Sequence, residues 1–233
     1  MNNKNCKKWY EKNYKTKGFK AQRLYPNEEL LRFMGNNYFP EKHRNNIKIL
    51  ELGCGSGANL WMIAKENFDA YGIDISPEAV RLCKKMLQKW GVSASLRAGD
   101  FMSLPYKAGS FDCVVDVLAT YCLPWKSFLK GLDEIRRVLK NGGKFFSFTP
   151  SVNSNAFKNF KPAKKIDCYT LNGIKRKNSP YVGNNFPFRF VAPADYGKIL
   201  RKKGFRVSYL ETVARTYRNL KEKFEYVVIV AEK

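Results

Sequence analysis

Short apolar runs alternate with helical patterns along the chain from Ile47 onward. The runs are typical of buried strands and comprise residues 47–52, 71–75, 93–98, 111–118 and 144–148. The clearest helix follows Ser76-Pro77-Glu78, which supplies an N-cap, a first-turn proline and an early acid. Repeated strand and helix units of this length predict a parallel sheet that is covered by helices on both faces.

The pattern also predicts the remaining elements of such a domain. A helix is expected over residues 59–66, and another is lined by Phe128, Leu132, Ile135 and Leu139 and closed by Asn141-Gly-Gly. The predicted C-terminal elements are a helix over 193–203 and two β-rich segments over 206–213 and 224–231. All 233 residues are therefore interpreted as one domain.

Two segments fall outside this alternation. Residues 1–45 combine aromatic and basic side chains and contain a short amphipathic helix that begins at Asn27. Residues 151–191 are irregular and carry eight lysines and arginines against the lone acid Asp167. A connection of this length inside a compact domain is typical of either a functional lid or a disordered excursion.

Composition narrows the function classes. The chain has 44% hydrophobic residues but no apolar run of membrane-spanning length and no signal-peptide core near its start, so a cytoplasmic protein is expected. The six cysteines form no C-x-x-C pair and His43 is the only histidine, which predicts neither a metal site nor a disulfide framework. The net charge of +23 indicates either anionic partners or a lysine-rich bias on a solvated surface. Nothing in the pattern indicates an oligomeric state.

The strongest local motif is the glycine loop that follows the first apolar run. Gly53-Cys-Gly-Ser-Gly-Ala satisfies a dinucleotide fingerprint, with Asp74 about 20 residues further on, but it lacks the lysine ending of a P-loop. A carboxylate at Glu51 is a poor neighbour for a pyrophosphate and a good one for a cationic ligand. The loop alone leaves open a nicotinamide-dependent oxidoreductase.

With Glu51 included, the loop resembles the first motif, E/D-x-G-x-G-x-G, of the class I S-adenosylmethionine-dependent methyltransferases. Later motifs of that family follow in order: Gly72-Ile-Asp-Ile-Ser76, Gly99-Asp-Phe101, Ser110-Phe-Asp-Cys-Val-Val-Asp-Val117 and Glu134-Ile-Arg-Arg-Val-Leu-Lys-Asn-Gly-Gly-Lys144. The resemblance spans residues 47–148. It implies a Rossmann-like, seven-stranded, mostly parallel sheet with helices on both faces, an antiparallel last strand, and S-adenosyl-L-methionine as cofactor.

The resemblance also implies the cofactor site. Asp74 would bind both ribose hydroxyls, Asp100 and Phe101 would contact the adenine, and the glycines would admit the methionine part beside the N–H groups of residues 56–59. The expected cofactor-binding residues are Glu51, Gly53, Cys54, Gly55, Gly57, Asn59, Asp74, Ile75, Asp100, Phe101 and Val117.

The acceptor side departs from many relatives, which carry a histidine just after the fourth strand. The equivalent stretch, residues 118–125, has none, so Tyr121 is the nearest candidate for positioning or proton relay, although a core tyrosine fits the pattern equally well. Tyr25 is the second catalytic candidate. The absence of a D/N-P-P-Y tetrad and of a Pro-Cys pair argues against methylation of DNA adenine and cytosine.

In this family, segments such as 1–45 and 151–191 close over the substrate. The lysines and arginines of these segments favour a small anionic acceptor that is phosphorylated, nucleotide-linked or carboxylated. We expect methylation on oxygen by an in-line mechanism in which the enzyme mainly holds the two reactants close together. The region from Trp9 to Glu29, with Tyr25-Pro-Asn-Glu-Glu-Leu, also resembles small-molecule methyltransferases of bacterial surface-saccharide biosynthesis. The alternative is an RNA methyltransferase in which the same lysines and arginines contact the RNA phosphates.

Overall fold

The structure, a computed structural model, describes residues 4–233. Its helices are α1 (Lys4–Lys17), α2 (Glu28–Asn37), α3 (Leu60–Lys65), α4 (Pro77–Lys89), α5 (Trp125–Val138), α6 (Asn155–Lys158) and α7 (Pro193–Lys202). Its strands are β1 (Lys48–Leu52), β2 (Asp69–Asp74), β3 (Ser95–Ala98), β4 (Phe111–Val117), β5 (Leu139–Pro150), β6 (Thr170–Leu171), β7 (Phe188–Arg189), β8 (Arg206–Tyr217) and β9 (Glu222–Glu232). None of the helices in this part of the chain is both long and apolar enough to cross a membrane.

Seven strands form one twisted sheet in the order β3-β2-β1-β4-β5-β9-β8. The first five pair in parallel, whereas β9 runs antiparallel between β5 and β8. The predicted fold class, including the antiparallel last strand, is therefore confirmed. The strand order reverses between β1 and β4, and ligands of such sheets bind at the carboxyl ends of the strands beside that point.

Helices cover both faces of the sheet, as the apolar periodicity predicts. On one face, α2, α3 and α4 bury Leu30, Phe33, Leu60, Ile63 and Leu87. On the other face, α5 and α7 bury Phe128, Leu132, Ile135, Tyr196 and Leu200. Burial of such large side chains is the main driving force for the fold, and each contributes roughly 1.5–3 kcal/mol relative to exposure.

The predicted C-terminal end of α5 is wrong. The helix ends at Val138, and Leu139 already belongs to β5, where it pairs with Phe111. Leu139 is fully buried, as an apolar residue would be either in the last turn of the helix or at the start of the strand. The apolar pattern therefore does not distinguish the two. Gly142 and Gly143 consequently lie within the strand and exchange backbone hydrogen bonds with Lys233.

The N-terminal segment contains a helix that the pattern does not predict. Helix α1 packs against α4 through Tyr14, which contacts the cluster of Ala79 and Leu82. Lysines dominate its outward face, and its buried face is aromatic and therefore lacks a typical aliphatic stripe. Helix α2 begins where expected, because the side chain of Asn27 accepts a hydrogen bond from the Leu30 N–H as its N-cap.

Segment 151–191 is folded onto the sheet and is not an excursion. Strands β6 and β7 pair as a small antiparallel ribbon, and Leu171, Ile174, Phe186 and Phe190 are at most 1% exposed. Arg189, one of the eight basic residues of this segment, is completely buried: its guanidinium lies 3.5 Å from the centre of the Phe128 ring. The segment is therefore an integral part of the core as well as a cover.

Candidate cofactor and acceptor site

A cavity of about 410 Å³ lies at the carboxyl ends of the central strands. Its floor is formed where β1, β2 and β4 end, by Gly53 just after β1 and by Asp74 and Val117, the last residues of β2 and β4. Helix α1 closes one side, and residues 180–184 of the folded insert close another. Both segments expected to cover the substrate thus line the same cavity.

The glycine loop is held in a conformation that other residues adopt only with strain. Gly53 and Gly55 have φ angles of +58° and +54°. A β-carbon on Gly53 would lie 2.5 Å from the Ala119 β-carbon, and one on Gly55 would lie 2.0 Å from Oε1 of Gln22. The loop therefore needs glycine both for its backbone angles and for the close approach of its neighbours.

Asp74 ends β2 with its carboxylate in the cavity wall. One carboxylate oxygen accepts a 2.9 Å hydrogen bond from the Gly55 N–H, and the other accepts a 2.9 Å bond from the Ser76 N–H. Each oxygen keeps a lone pair for a ligand hydroxyl. Burial raises the pKa of Asp74 to about 6, although both backbone bonds oppose that shift.

The wall beyond Asp74 is apolar. Ile75, Phe101 and Val117 line the cavity there and form a surface suited to a planar heterocycle. Asp100, predicted to contact adenine, does not line it. Its carboxylate instead accepts a 2.9 Å hydrogen bond from the Met102 N–H and stabilises the turn that presents Phe101.

Glu51 is linked to the cavity through two other side chains. Its Oε1 accepts a 2.6 Å hydrogen bond from Asn59, whose side-chain oxygen accepts bonds from the Arg23 guanidinium and the Asn27 N–H. Only Arg23 of these residues lines the cavity. Oε2 of Glu51 and Nε of Arg23 are buried without a hydrogen-bond partner among the described residues. Glu51 and Arg23 therefore each keep one buried polar atom with unused bonding capacity.

Burial raises the pKa of Glu51 from 4.5 to about 8. The folded state therefore favours the protonated form of Glu51. The contribution of this group to the free energy of unfolding is fully present below about pH 4.5 and is lost as the pH rises through about 8.

We expect Glu51→Gln to abolish this fall in the free energy of unfolding at high pH. Between about pH 6 and 9, the free energy of unfolding of the wild type should fall by a few kcal/mol relative to the variant, as measured by denaturant titration. The exposed substitution Glu41→Gln should keep the wild-type dependence. Parallel stability profiles for wild type and Glu51→Gln would contradict the assignment.

Gln22 and Arg23 are functional candidates that the motifs do not indicate. Oε1 of Gln22 accepts a 3.1 Å hydrogen bond from the Ser56 N–H, which was expected to be available to the cofactor. Helix α3 begins only at Leu60, so residues 56–59 do not form its first turn. No local sequence signal identifies these contacts, because they join the N-terminal segment to a loop more than thirty residues away.

The predicted site residues do not all meet. Cys54 and Asn59 are buried behind the loop rather than in the cavity wall. Tyr121 lines the cavity, and its hydroxyl lies 2.5 Å from that of Tyr10 on α1. Tyr25, the second catalytic candidate, is 64% exposed and lies outside the cavity wall, against Trp61 on the surface.

The fold and this site define a Rossmann-like α/β domain of the methyltransferase type. Residues 49–143 match the family model described as "Methyltransferase domain". The central part of the chain therefore matches a methyltransferase family model, and its fold is that of S-adenosylmethionine-dependent methyltransferases of known structure.

Curated relatives match parts of the chain. The phthiotriol/phenolphthiotriol dimycocerosates methyltransferase of Mycobacterium leprae is 31% identical over 121 residues, which cover 51% of this chain and 40% of that protein. An uncharacterized protein of Methanocaldococcus jannaschii is 28% identical over 169 residues, or 69% of this chain and 70% of that one. The mycobacterial match thus spans less than half of the relative's length.

Solved structures share the fold. An S-adenosylmethionine-dependent methyltransferase from Methanosarcina mazei superposes with a TM-score of 0.65 at 24% identity, covering 80% of this chain and 92% of that one. The 1,6-didemethyltoxoflavin-N1-methyltransferase of Burkholderia thailandensis, solved with S-adenosylhomocysteine, superposes with a TM-score of 0.59 at 15% identity. The superposition covers 88% of this chain and 85% of that one.

Proposed function

We propose that this chain transfers a methyl group from S-adenosylmethionine to a small acceptor held between α1 and the folded insert. The observation that carries the proposal is the placement of Asp74, which faces the cavity with both oxygens oriented by backbone N–H groups. When bound, the cofactor supplies an electrophilic methyl on a sulfonium. The protein's part is then to bind both reactants and align them, which in favourable cases lowers a barrier by about 7–11 kcal/mol.

The cavity wall fits the cofactor part by part. The free lone pairs of Asp74 suit the two ribose hydroxyls, and the apolar surface of Ile75, Phe101 and Val117 suits adenine. The buried, unpartnered Nε of Arg23 suits the methionine carboxylate. An anion beside Arg23 would also offset the desolvation that lowers the pKa of this guanidinium.

We assign the acceptor to the aromatic part of the cavity. Trp9, Tyr10, Tyr121 and Tyr181 line it, and burial raises the pKa of Tyr10 and Tyr121 well above 10. These phenols are neutral at physiological pH and act as hydrogen-bond donors, not as bases. We therefore propose that Tyr121 positions an acceptor that reaches the site already deprotonated.

Two cations line the cavity among the described residues, Lys17 and Arg23. With Arg23 assigned to the cofactor, Lys17 at the end of α1 is the group that favours an anionic oxygen acceptor. The relatives' names refer to diverse acceptors, including dimycocerosates, norajmaline and a sterol. They lend no support to a surface-saccharide substrate, which rests on the likeness of the region from Trp9 to Glu29 alone.

Incubation with methyl-labelled S-adenosylmethionine tests the proposal. An extract separated into RNA, protein, lipid and small-molecule fractions serves as the source of acceptors. We expect label in the small-molecule fraction, in a species that anion exchange retains before methylation. Label confined to RNA would contradict the proposed acceptor class while leaving the cofactor assignment intact.

Replacing Lys17 by glutamine should weaken acceptor binding. We expect KM for an anionic acceptor to rise about 3- to 10-fold, since a partly exposed charge contributes modestly, with no change in S-adenosylhomocysteine affinity. Lys20→Gln, an exposed neighbour outside the cavity wall, is the matched control. Equal KM values for both variants would remove Lys17 from the acceptor site.

A further inference from the structure

The outward faces of α1 and α4 form a strongly basic surface beside the cavity. The two helices pack against each other, and their exposed residues are predominantly cationic. These exposed cations are Lys7, Lys8, Lys12, Lys15, Arg81, Lys84, Lys85 and Lys89. The surface is separate from the cavity wall, to which α1 contributes its opposite face.

Little of this charge is neutralised within the described part of the chain. Each helix contains one acid: Glu11 on α1 pairs with Lys15 at 3.2 Å, and Glu78 on α4 pairs with Arg81 at 2.5 Å. The other lysines of the two faces form no ion pair with a described residue, namely Lys7, Lys8, Lys12, Lys84, Lys85 and Lys89.

The C-terminal end of the α4 face continues into an aromatic cluster. Trp90 directly follows Lys89 and stacks on Trp61, with 3.9 Å between ring centroids and 6° between planes. Tyr25 contacts both indoles edge-on and is 64% exposed. Leu24, 43% exposed, accepts a hydrogen bond from the Trp61 indole through its carbonyl. Exposed apolar side chains therefore adjoin the lysines.

We propose that this combined surface docks on an anionic lipid membrane. Lysines attract an anionic bilayer surface by about 1 kcal/mol each, and tryptophan, tyrosine and leucine bind at the boundary between headgroups and acyl chains. The inner face of α1 lines the cavity, so docking would hold the helix that closes the cavity against the membrane.

The composition of the surface favours lipid over nucleic acid. Bidentate recognition of nucleic-acid phosphates uses the arginine fork, but Arg81, the arginine of these faces, already holds Glu78 with two nitrogens. Base stacking needs open aromatic faces, whereas Trp61 and Trp90 cover one face of each other. Lysines beside aliphatic and aromatic groups match a diffuse anionic surface.

Co-sedimentation with vesicles tests the proposal on the full chain. One set of vesicles contains phosphatidylcholine alone, and the other contains about one-third phosphatidylglycerol. We expect at least about 100-fold stronger partitioning onto the anionic vesicles, weakened by added salt. The triple variant Lys84→Gln/Lys85→Gln/Lys89→Gln should lose on the order of 100-fold of that partitioning, since three lysine contributions are removed.

A matched variant separates this surface from net charge. Lys158→Gln/Lys161→Gln/Lys164→Gln removes the same charge from exposed lysines of the insert and should partition like the wild type. The variant Leu24→Ser/Tyr25→Ser should weaken binding without changing its salt dependence. Unchanged circular dichroism melting curves verify that all variants fold.

Three results would overturn the proposal. The first is equal partitioning onto both kinds of vesicle. The second is an equal loss in the insert variant, which would reduce the effect to overall charge. The third is tight binding of a single-stranded RNA, lost in the α4 triple variant, with no vesicle binding. That last result would assign the surface to nucleic acid.

Discussion

Replacing Asp74 by asparagine is expected to lower the affinity for S-adenosylmethionine and S-adenosylhomocysteine on the order of 100-fold. The substitution removes the charge that strengthens hydrogen bonds to the two ribose hydroxyls, each worth about 1.5–3 kcal/mol. It also leaves an amide nitrogen facing either the Gly55 or the Ser76 N–H, where only an acceptor fits. Isothermal titration calorimetry with S-adenosylhomocysteine measures the effect.

The same strand offers the control. Asp69 begins β2 on the surface with 39% of its side chain exposed, so Asp69→Asn should bind like the wild type. Because the pKa of Asp74 is about 6, wild-type affinity should also fall about tenfold per pH unit below that value, as the carboxylate becomes protonated. Unchanged affinity in Asp74→Asn would exclude Asp74 from ribose binding.

Replacing Arg23 by glutamine is expected to weaken S-adenosylhomocysteine binding about 10- to 100-fold. The guanidinium lines the cavity with a buried, unpartnered Nε, and a charge-assisted bond to the methionine carboxylate would use it. The diagnostic ligand is 5′-methylthioadenosine, which has the adenosine and sulfur but lacks the amino-acid part. Its affinity should be the same for wild type and Arg23→Gln.

The two variants therefore have different signatures. Asp74→Asn should weaken both ligands, whereas Arg23→Gln should weaken only the one that carries a carboxylate. Arg32→Gln, a substitution of an exposed arginine on α2, should weaken neither. Loss of 5′-methylthioadenosine binding in Arg23→Gln would show that Arg23 maintains the site's shape through Asn59 instead of binding the carboxylate.

The parts of the site that follow β1 and β2 are predictable because their signals are local. Three glycines and an acid at a strand end have few uses besides close approach to a ligand, and the structure places Gly53 and Asp74 in the cavity wall. The fold class is predictable for the same reason, since each strand and helix carries its own periodicity. Glu51 and Asn59 are less predictable, because they connect to the cavity only through hydrogen bonds. Glu51 accepts a bond from Asn59, and Asn59 accepts one from Arg23, which lines the cavity.

The covering elements are not predictable from local pattern. Helix α1 is stabilised by tertiary packing of Tyr10 and Tyr14 against α4, and a lysine-rich sequence does not reveal that partner. Residues 151–191 look polar, yet Phe186 and Phe188 fill the core through contacts made far along the chain. Tyr25 fails as a cavity residue because its surroundings, the two stacked tryptophans, come from distant helices.

Calorimetric titration of the full chain with S-adenosylhomocysteine tests the central claim most directly. We predict saturable binding at one site per chain, competed by 5′-methylthioadenosine and lost in Asp74→Asn. Absence of binding heat for S-adenosylhomocysteine, together with saturable binding of a nicotinamide dinucleotide, would contradict the account.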